Sequence, residues 1–322
     1  VAQVLHTSGA GVGIIDPDTD TSIGSVIGTT DLTGDKQVED GQSIFRPFTD
    51  VVQKWCIKDL SLQASLIATS YNSTTPVFLT PGDELVVLKA TSPQTTLSFV
   101  DPSTMTVTAT MTTNNHGLCQ QMTMSDSSTL WLATTNTSNR AGISEINVTT
   151  RTVTNTYNLS SVTSFSDCCL YYGGDLYVSV RIGTGSFDTN PDLLLKVSIT
   201  TGAVIGTCTL PNQYRVFNLL QAGGYLFTSS PNTADVYRID PSSMTIVDTY
   251  TASSADPTIT TDGTYVWMGN AAIRKIVGST GSSSVLTQTG SPFWMSGDYE
   301  FSTITPRGLG GWGVGETKDE QW

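Results

Sequence analysis

Short stretches in which apolar and polar residues alternate recur along the whole chain, each broken after a few positions by Gly, Pro, Asp or Asn. Alternation of period two puts successive side chains on opposite faces of an extended backbone, so each stretch predicts a β-strand with one buried face. The pattern is clearest in three hairpins: Ile239 to Tyr250 (IDPSSMTIVDTY), Val100 to Met111 (VDPSTMTVTATM) and Ile146 to Tyr157 (INVTTRTVTNTY). Each reads as a strand, a short turn, and a second strand in which Thr or Ser alternates with Val or Ile. One such hairpin cannot bury both faces, so many copies predict stacked units. No long amphipathic helix interrupts them.

Two series of turns run through the chain. The first falls at Asp16, Asp59, Asp101, Asn147, Ser198, Asp240 and Gly278, spaced by roughly 40 to 50 residues, the length of a four-stranded propeller blade. The acids at these turns are expected to be turn formers, because aspartate bonds its own backbone two residues on and proline fixes φ. The second series comprises Asp40-Gly41, Pro81-Gly82-Asp83, Asp126-Ser127-Ser128, Gly173-Gly174-Asp175, Gly223-Gly224, Asp262-Gly263 and Ser296-Gly297-Asp298. Most lead straight into an apolar strand, such as LWLA at Leu130 or YVWMG at Tyr265. Each repeat therefore holds two hairpins and four strands.

The two series are out of phase. The chain opens on a third-and-fourth-strand hairpin, Gly11 to Ile27, and closes on a first-and-second-strand hairpin, Phe293 to Ile304. Pairing them would complete a ring and remove two exposed sheet edges. The expectation is an all-β, seven-bladed β-propeller of four-stranded blades, the closing blade shared between the N- and C-termini. Residues 1–304 form the propeller and 305–322 a Gly-rich C-terminal tail.

Repeats such as LWLATTN…GISEINVTTRTVTNTYNL and LFTSSPNTADVYRIDPSSMTIVDTY resemble the YVTN-type propeller repeat, in which an aromatic-aliphatic strand precedes V-x-x-I-D-x-x-T-x-x-V. The likeness spans nearly the whole chain; the stretches VVQKWCIKDLSLQASLIA and AIRKIVGSTGSSSVLTQT depart from it. It implies blade packing and the surroundings of surface-layer and secreted proteins, and it specifies no ligand.

Composition narrows the function classes. The formal net charge of -13 over 322 residues excludes a phosphate-backbone partner, which needs a stripe of lysine or arginine. No apolar run approaches the roughly 18 residues of a membrane span. A start at Val1 fits a removed leader or a truncated chain, and the expected location is extracellular or surface-exposed. Asn72, Asn136, Asn147 and Asn158 match N-x-[ST] and fall in turns or at strand ends, which makes them candidate glycosylation sites.

Candidate chemistry is sparse. The two histidines, His6 and His116, sit far apart in the chain; His116, in NNHG, is best read as a solvated loop residue. No nucleophile elbow, zinc-protease helix or phosphate-binding loop is present, so no catalytic residue, metal or cofactor is assigned. DPDTDTS from Asp16 and DLTGDKQVEDGQ from Asp31 offer alternate oxygens in the manner of calcium loops, but the second lacks the glycine and the closing acid. Cys56, Cys119, Cys168, Cys169 and Cys208 lack zinc spacing. Alternation sends Cys168 and Cys169 to opposite faces, as buried thiols or with one bridged to Cys119. Trp131, Tyr177, Phe227 and Trp267 share one register and are expected to pack blade against blade.

These features predict a non-enzymatic extracellular propeller, a structural or binding module on a cell, filament or virion surface, contacting protein or glycan partners and copies of itself. The alternative is a secreted propeller hydrolase or lyase acting on a lactone or polysaccharide. The longest insertion, Arg181 to Asp192, marks one face as variable. Trp312 and Trp322 are candidate assembly anchors, or else fold back over the ring.

Overall fold

The computed structural model describes residues 3–8, 11–16, 21–27, 38–39, 43–48, 51–56, 62–67, 77–91, 94–113, 121–135, 140–160, 164–182, 191–211, 216, 218–230, 233–252, 258–261, 263–270, 272–286 and 292–298. These residues form strands and turns and no helix. Among them the strands make seven four-stranded antiparallel sheets. In the fourth sheet the order from inner to outer strand is Met122–Met124, Thr129–Thr135, Ala141–Asn147 and Thr152–Asn158. The third, fifth, sixth and seventh sheets repeat it, with inner strands Val77–Leu79, Ser164–Tyr172, Asn218–Ala222 and Thr258–Thr261. Their outer strands are Thr106–Thr113, Val204–Leu210, Thr245–Thr251 and Ser283–Leu286.

The first sheet joins the two ends of the chain, in the order Pro292–Asp298, Gln3–Ser8, Gly11–Asp16, Thr21–Ile27. The sequence reading gave this sheet two strands from each end. Here the early residues supply three strands and the late residues one, because only Gly9 and Ala10 separate Gln3–Ser8 from Gly11–Asp16, a spacing suited to a tight hairpin. Residues 299–304 lie outside the described residues.

Apolar residues pack between neighbouring sheets, as expected of units that cannot bury both faces alone. One cluster joins Phe78 and Phe99 of the third sheet to Trp131 and Ile143 of the fourth and Val178 of the fifth. Another joins Leu194 and Cys208 of the fifth to Leu226 and Tyr237 of the sixth, and a third joins Phe227 and Val236 to Val266 and Ile276 of the seventh. The shared aromatic register is core: Trp131, Tyr177, Phe227 and Trp267 are all buried. Each such side chain contributes on the order of 2 kcal/mol through removal from water.

Six of the seven sheets kink in one place. The pairing between third and outer strands shifts register at Ile14/Ile15, Lys54/Trp55, Phe99/Val100, Glu145/Ile146, Lys196/Val197 and Arg238/Ile239, and runs without a shift in the seventh sheet. Such bulges raise local twist and re-aim the residue beside them. At Lys54, Lys196 and Arg238 they aim it at the next sheet.

Candidate functional site

The seams between sheets follow a rule, and the candidate site is where the rule changes. The residue just before the bulge is commonly a cation lying over an aromatic ring of its own sheet, with its head reaching the next sheet's outer turn. Lys54 Nζ lies 5.7 Å from the Phe45 ring and donates to Pro102 O at 3.0 Å. Lys196 Nζ lies 5.8 Å from the Tyr177 ring and donates to Pro241 O at 3.3 Å. The Arg238 guanidinium lies 3.5 Å from the Tyr225 ring and donates to Gly278 O at 2.9 Å and Ser279 O at 2.6 Å.

The turn that receives this cation ends in a left-handed residue that plugs the seam. Met105 and Met244 hold φ of 54° and are buried in the apolar clusters of the preceding sheets, beside Val52 and Leu194 respectively. The fifth sheet uses Gly202, φ 67°, because a Cβ there would stand 1.9 Å from the Tyr157 ring. The acids that open two of these turns behave as the sequence implied. Asp101 Oδ1 accepts from Ser103 N at 2.8 Å and Ser103 Oγ at 2.6 Å, and Asp240 does the same with Ser242. The serine hydroxyl and then the serine N–H hold both carboxyls below their ordinary range.

Between the third and fourth sheets the roles are exchanged. The position before the bulge is Phe99, and the left-handed turn residue is Arg151, φ 56°, where the parallel turns carry methionine or glycine. The Arg151 guanidinium lies 5.0 Å from the Phe99 ring, and its Nη2 donates to Glu84 Oε1 at 2.9 Å. Thr108 Oγ1 donates to the same oxygen at 2.9 Å. Arg151 Nε is buried with no partner among the described residues. Beside this pair a groove of about 630 Å³ opens, walled by Thr112, Thr113, Ser144, Thr152 and Thr156. Met111 and Val153 complete its lining, so hydroxyls and apolar surface meet beside the guanidinium.

The inner strands use their polar side chains as ties. Gln121, next to the fourth sheet's inner strand, donates from Nε2 to Leu219 O at 2.7 Å and accepts from Leu219 N at 3.1 Å, passing the fifth sheet to reach the sixth. Ser166 Oγ accepts from Gly142 N at 3.1 Å and donates to Gly142 O at 2.9 Å. Asp192, fully buried at the end of the Arg181 to Asp192 insertion, accepts from Val216 N at 3.0 Å. Arg181 Nε stands 3.9 Å from the buried Asp167 carboxylate.

The residues singled out from sequence are dispersed. Asn147 opens the fourth sheet's outer turn and its Oδ1 accepts from Thr150 N at 2.8 Å; Asn158 is exposed at the end of the outer strand. His6 and Asp16 lie on strands of the first sheet. Cys168 and Cys169 are buried thiols on opposite sides of their strand, Cys168 donating to Val216 O and Cys169 to Trp131 O. Asn72, Asn136, Trp312, Trp322, Cys119, His116, Asp18, Asp20 and Asp31 lie outside the described residues. No cluster of His, Cys, Asp and Glu among the described residues is arranged to hold a metal ion.

Arg151 and the groove escaped the sequence reading, yet the signal was there. Aligned, IDPSSM, VDPSTM and INVTTR differ at the last position, where Met gives way to Arg. Gln121 had no comparable signal, since nothing local announces a partner 98 residues away.

The architecture has solved counterparts. The chain is similar to hydrazine synthase from Kuenenia stuttgartiensis, with a TM-score of 0.63 at 13% identity over 88% of this chain and 91% of that one. It is similar to AztD from Citrobacter koseri, with a TM-score of 0.58 at 11% identity over 92% and 97% of the two chains, and to the Dos1 propeller, with a TM-score of 0.57 at 11% identity over 90% and 81%. No family model and no curated protein matches the sequence. At these identities the likeness is one of fold, and the fold is a β-propeller.

Proposed function

We propose that the chain closes into a seven-bladed propeller, the first sheet serving as closing blade, and works as a non-enzymatic structural or binding module outside the cell, within a larger assembly on a cell, filament or virion surface. One observation carries this reading. Among the described residues, every exposed large apolar side chain lies on an outer strand, including Ile67, Val107, Val153, Ile205, Val247 and Val285.

Edge strands of soluble proteins are ordinarily blunted by lysine, proline or inward charges, because their open N–H and C=O groups invite pairing. These outer strands do the opposite. The one charged residue on them is Asp248, and Arg238 Nη1 neutralises it at 2.7 Å. In a chain of net charge -13 a neutral, β-branched rim is the surface on which a neighbour meets least repulsion. Inner polar groups such as Gln121, Thr123 and Ser166, by contrast, are engaged in ties between sheets, which suits a scaffold.

The test is a variant with Ile67→Lys, Val107→Lys and Ile205→Lys, compared with the natural chain by sedimentation, electron microscopy and thermal melting. Assembly lost at an unchanged melting temperature supports the proposal. A monomer before and after, in protein purified from its native source, overturns it. Intact mass of the same material tests Asn72, Asn136, Asn147 and Asn158 as glycan carriers: a mass of 34.3 kDa removes that part of the reading.

A further inference from the structure

We propose that the groove between the third and fourth sheets, governed by Arg151, is a binding site for a short neutral glycan. It opens between the outer strands of these two sheets and shares Val153 with the rim, so its test reads glycan retention rather than assembly.

The starting point is a break in the repeat. Met105 and Met244 occupy the same left-handed turn position and are buried in their seams; Arg151 is half-exposed, and a groove of about 630 Å³ lies beside it. Arg151 stacks over Phe99 and pairs with Glu84, which holds its guanidinium at the groove instead of plugging the seam. Departures from a repeat's own rule are where function is expected.

The chemistry of the walls defines the ligand class. Thr112, Thr113, Ser144, Thr152 and Thr156 bring hydroxyls, each able to donate and accept, while Met111 and Val153 bring apolar surface that suits the C–H faces of a sugar ring. Arg151 brings a planar fork of donors, one of them given to Glu84, which offers carboxylate oxygens at its side. A ligand dense in hydroxyls satisfies such a mixed surface, and the groove's volume falls within the range of sites for small ligands.

Charge selects among hydroxyl-rich ligands. The Arg151–Glu84 pair is locally neutral at 2.9 Å, so it does not compensate an added carboxylate. A polyanionic glycan would also approach a chain of net charge -13, whereas a cationic one would meet Arg151 at the groove itself. A neutral glycan avoids both penalties.

The experiment is an array of neutral, sialylated and uronic-acid glycans probed with the full chain and with two variants. Arg151→Met restores the residue found at the equivalent turns, where φ of 54° is already tolerated, so it is expected to fold. Thr112→Val with Thr156→Val removes two wall hydroxyls and keeps their volume. The natural chain should retain neutral glycans, with little dependence on salt. Arg151→Met should weaken retention by about tenfold or more, and the double variant by a comparable factor, the scale of one or two ligand hydrogen bonds lost. Equal retention by Arg151→Met, retention of acidic glycans alone, or retention of none overturns the proposal.

Discussion

Inner and outer strands of the same sheets obey opposite rules, although a two-residue alternation generates both. The inner strands Met122–Met124 and Asn218–Ala222 expose nothing, and Thr123 is tied to Tyr171 N of the next sheet. Outer strands such as Thr152–Asn158 are largely exposed and present Val and Ile to solvent. The contrast teaches that strand pattern encodes position along the sheet. A strand buried on both faces tolerates polarity only where a partner is built in, whereas an edge strand can carry apolar residues only where something covers it or where nothing penalises the exposure.

The largest effect should come from exchanging the same deletion between the two regions. Phe227 is fully buried between the sixth and seventh sheets, stacked at 6.5 Å on Tyr250. Phe227→Ala should cost about 3–5 kcal/mol, the transfer of the ring plus the cavity left behind. Val247→Ala on the outer strand should cost under about 0.5 kcal/mol. Urea denaturation measures both. Equal losses would mean that the rim is core within an assembly that persists under the assay.

Next in size is the tie that spans three sheets. Gln121→Leu keeps the bulk of the side chain but leaves Leu219 N and O without their amide, at a cost of about 1–3 kcal/mol for each buried group stranded. Hydrogen exchange at Leu219 should rise with the loss of stability. If exchange there stays unchanged, the inner strands are held by packing rather than by polar ties, and the contrast with the outer strands weakens.

Much of the fold was legible because it is local and repeated. Asp-Pro and Gly-Gly turns bracket their strands, and the register of Trp131, Tyr177, Phe227 and Trp267 marked the core face. The division of the first sheet was less legible: the turn at Gly9-Ala10 that joins Gln3–Ser8 to Gly11–Asp16 belongs to neither series of Asp or Gly turns that sets the phase elsewhere. The seam chemistry was partly readable. Lys54, Lys196 and Arg238 occupy one position of the repeat, but what they reach lies on the next sheet, and alternation says nothing about inter-sheet contacts. The groove depends on a single exchange of Met for Arg, which only an alignment of the turns exposes.

A tyrosine at one seam gives the contrast a pH signature. Tyr250 Oη donates to Gly281 O at 2.9 Å, and burial, followed by the Asp248 charge, pushes its hydroxyl up to about 12. The unfolded group ionises near 10, so its contribution is complete below about pH 10 and is lost as pH rises from there towards 12. Melting temperature should fall over that interval, and Tyr250→Phe should fall less steeply. Parallel slopes for the two proteins would locate the alkaline transition elsewhere.

The smallest effect is expected at the exposed turns, where the contrast between regions turns on charge alone. Asp101 and Asp240 each accept two hydrogen bonds from the serine two residues on, and these lower their carboxyl pKa from the ordinary value of 3.8. A depressed folded pKa means that the ionised form binds the turn better than the protonated one. The stabilisation is therefore present above the unfolded pKa of about 3.9 and disappears as pH falls below it through the folded value. Asn at both positions keeps a side-chain acceptor for the turn and removes the charge. The double variant Asp101→Asn, Asp240→Asn should melt slightly below the natural chain at pH 7, and the gap should close by about pH 2, where the aspartates are protonated. A gap of constant size from pH 7 to pH 2 would show that turn geometry, and not the carboxylate charge, sets the preference for aspartate at the head of these hairpins.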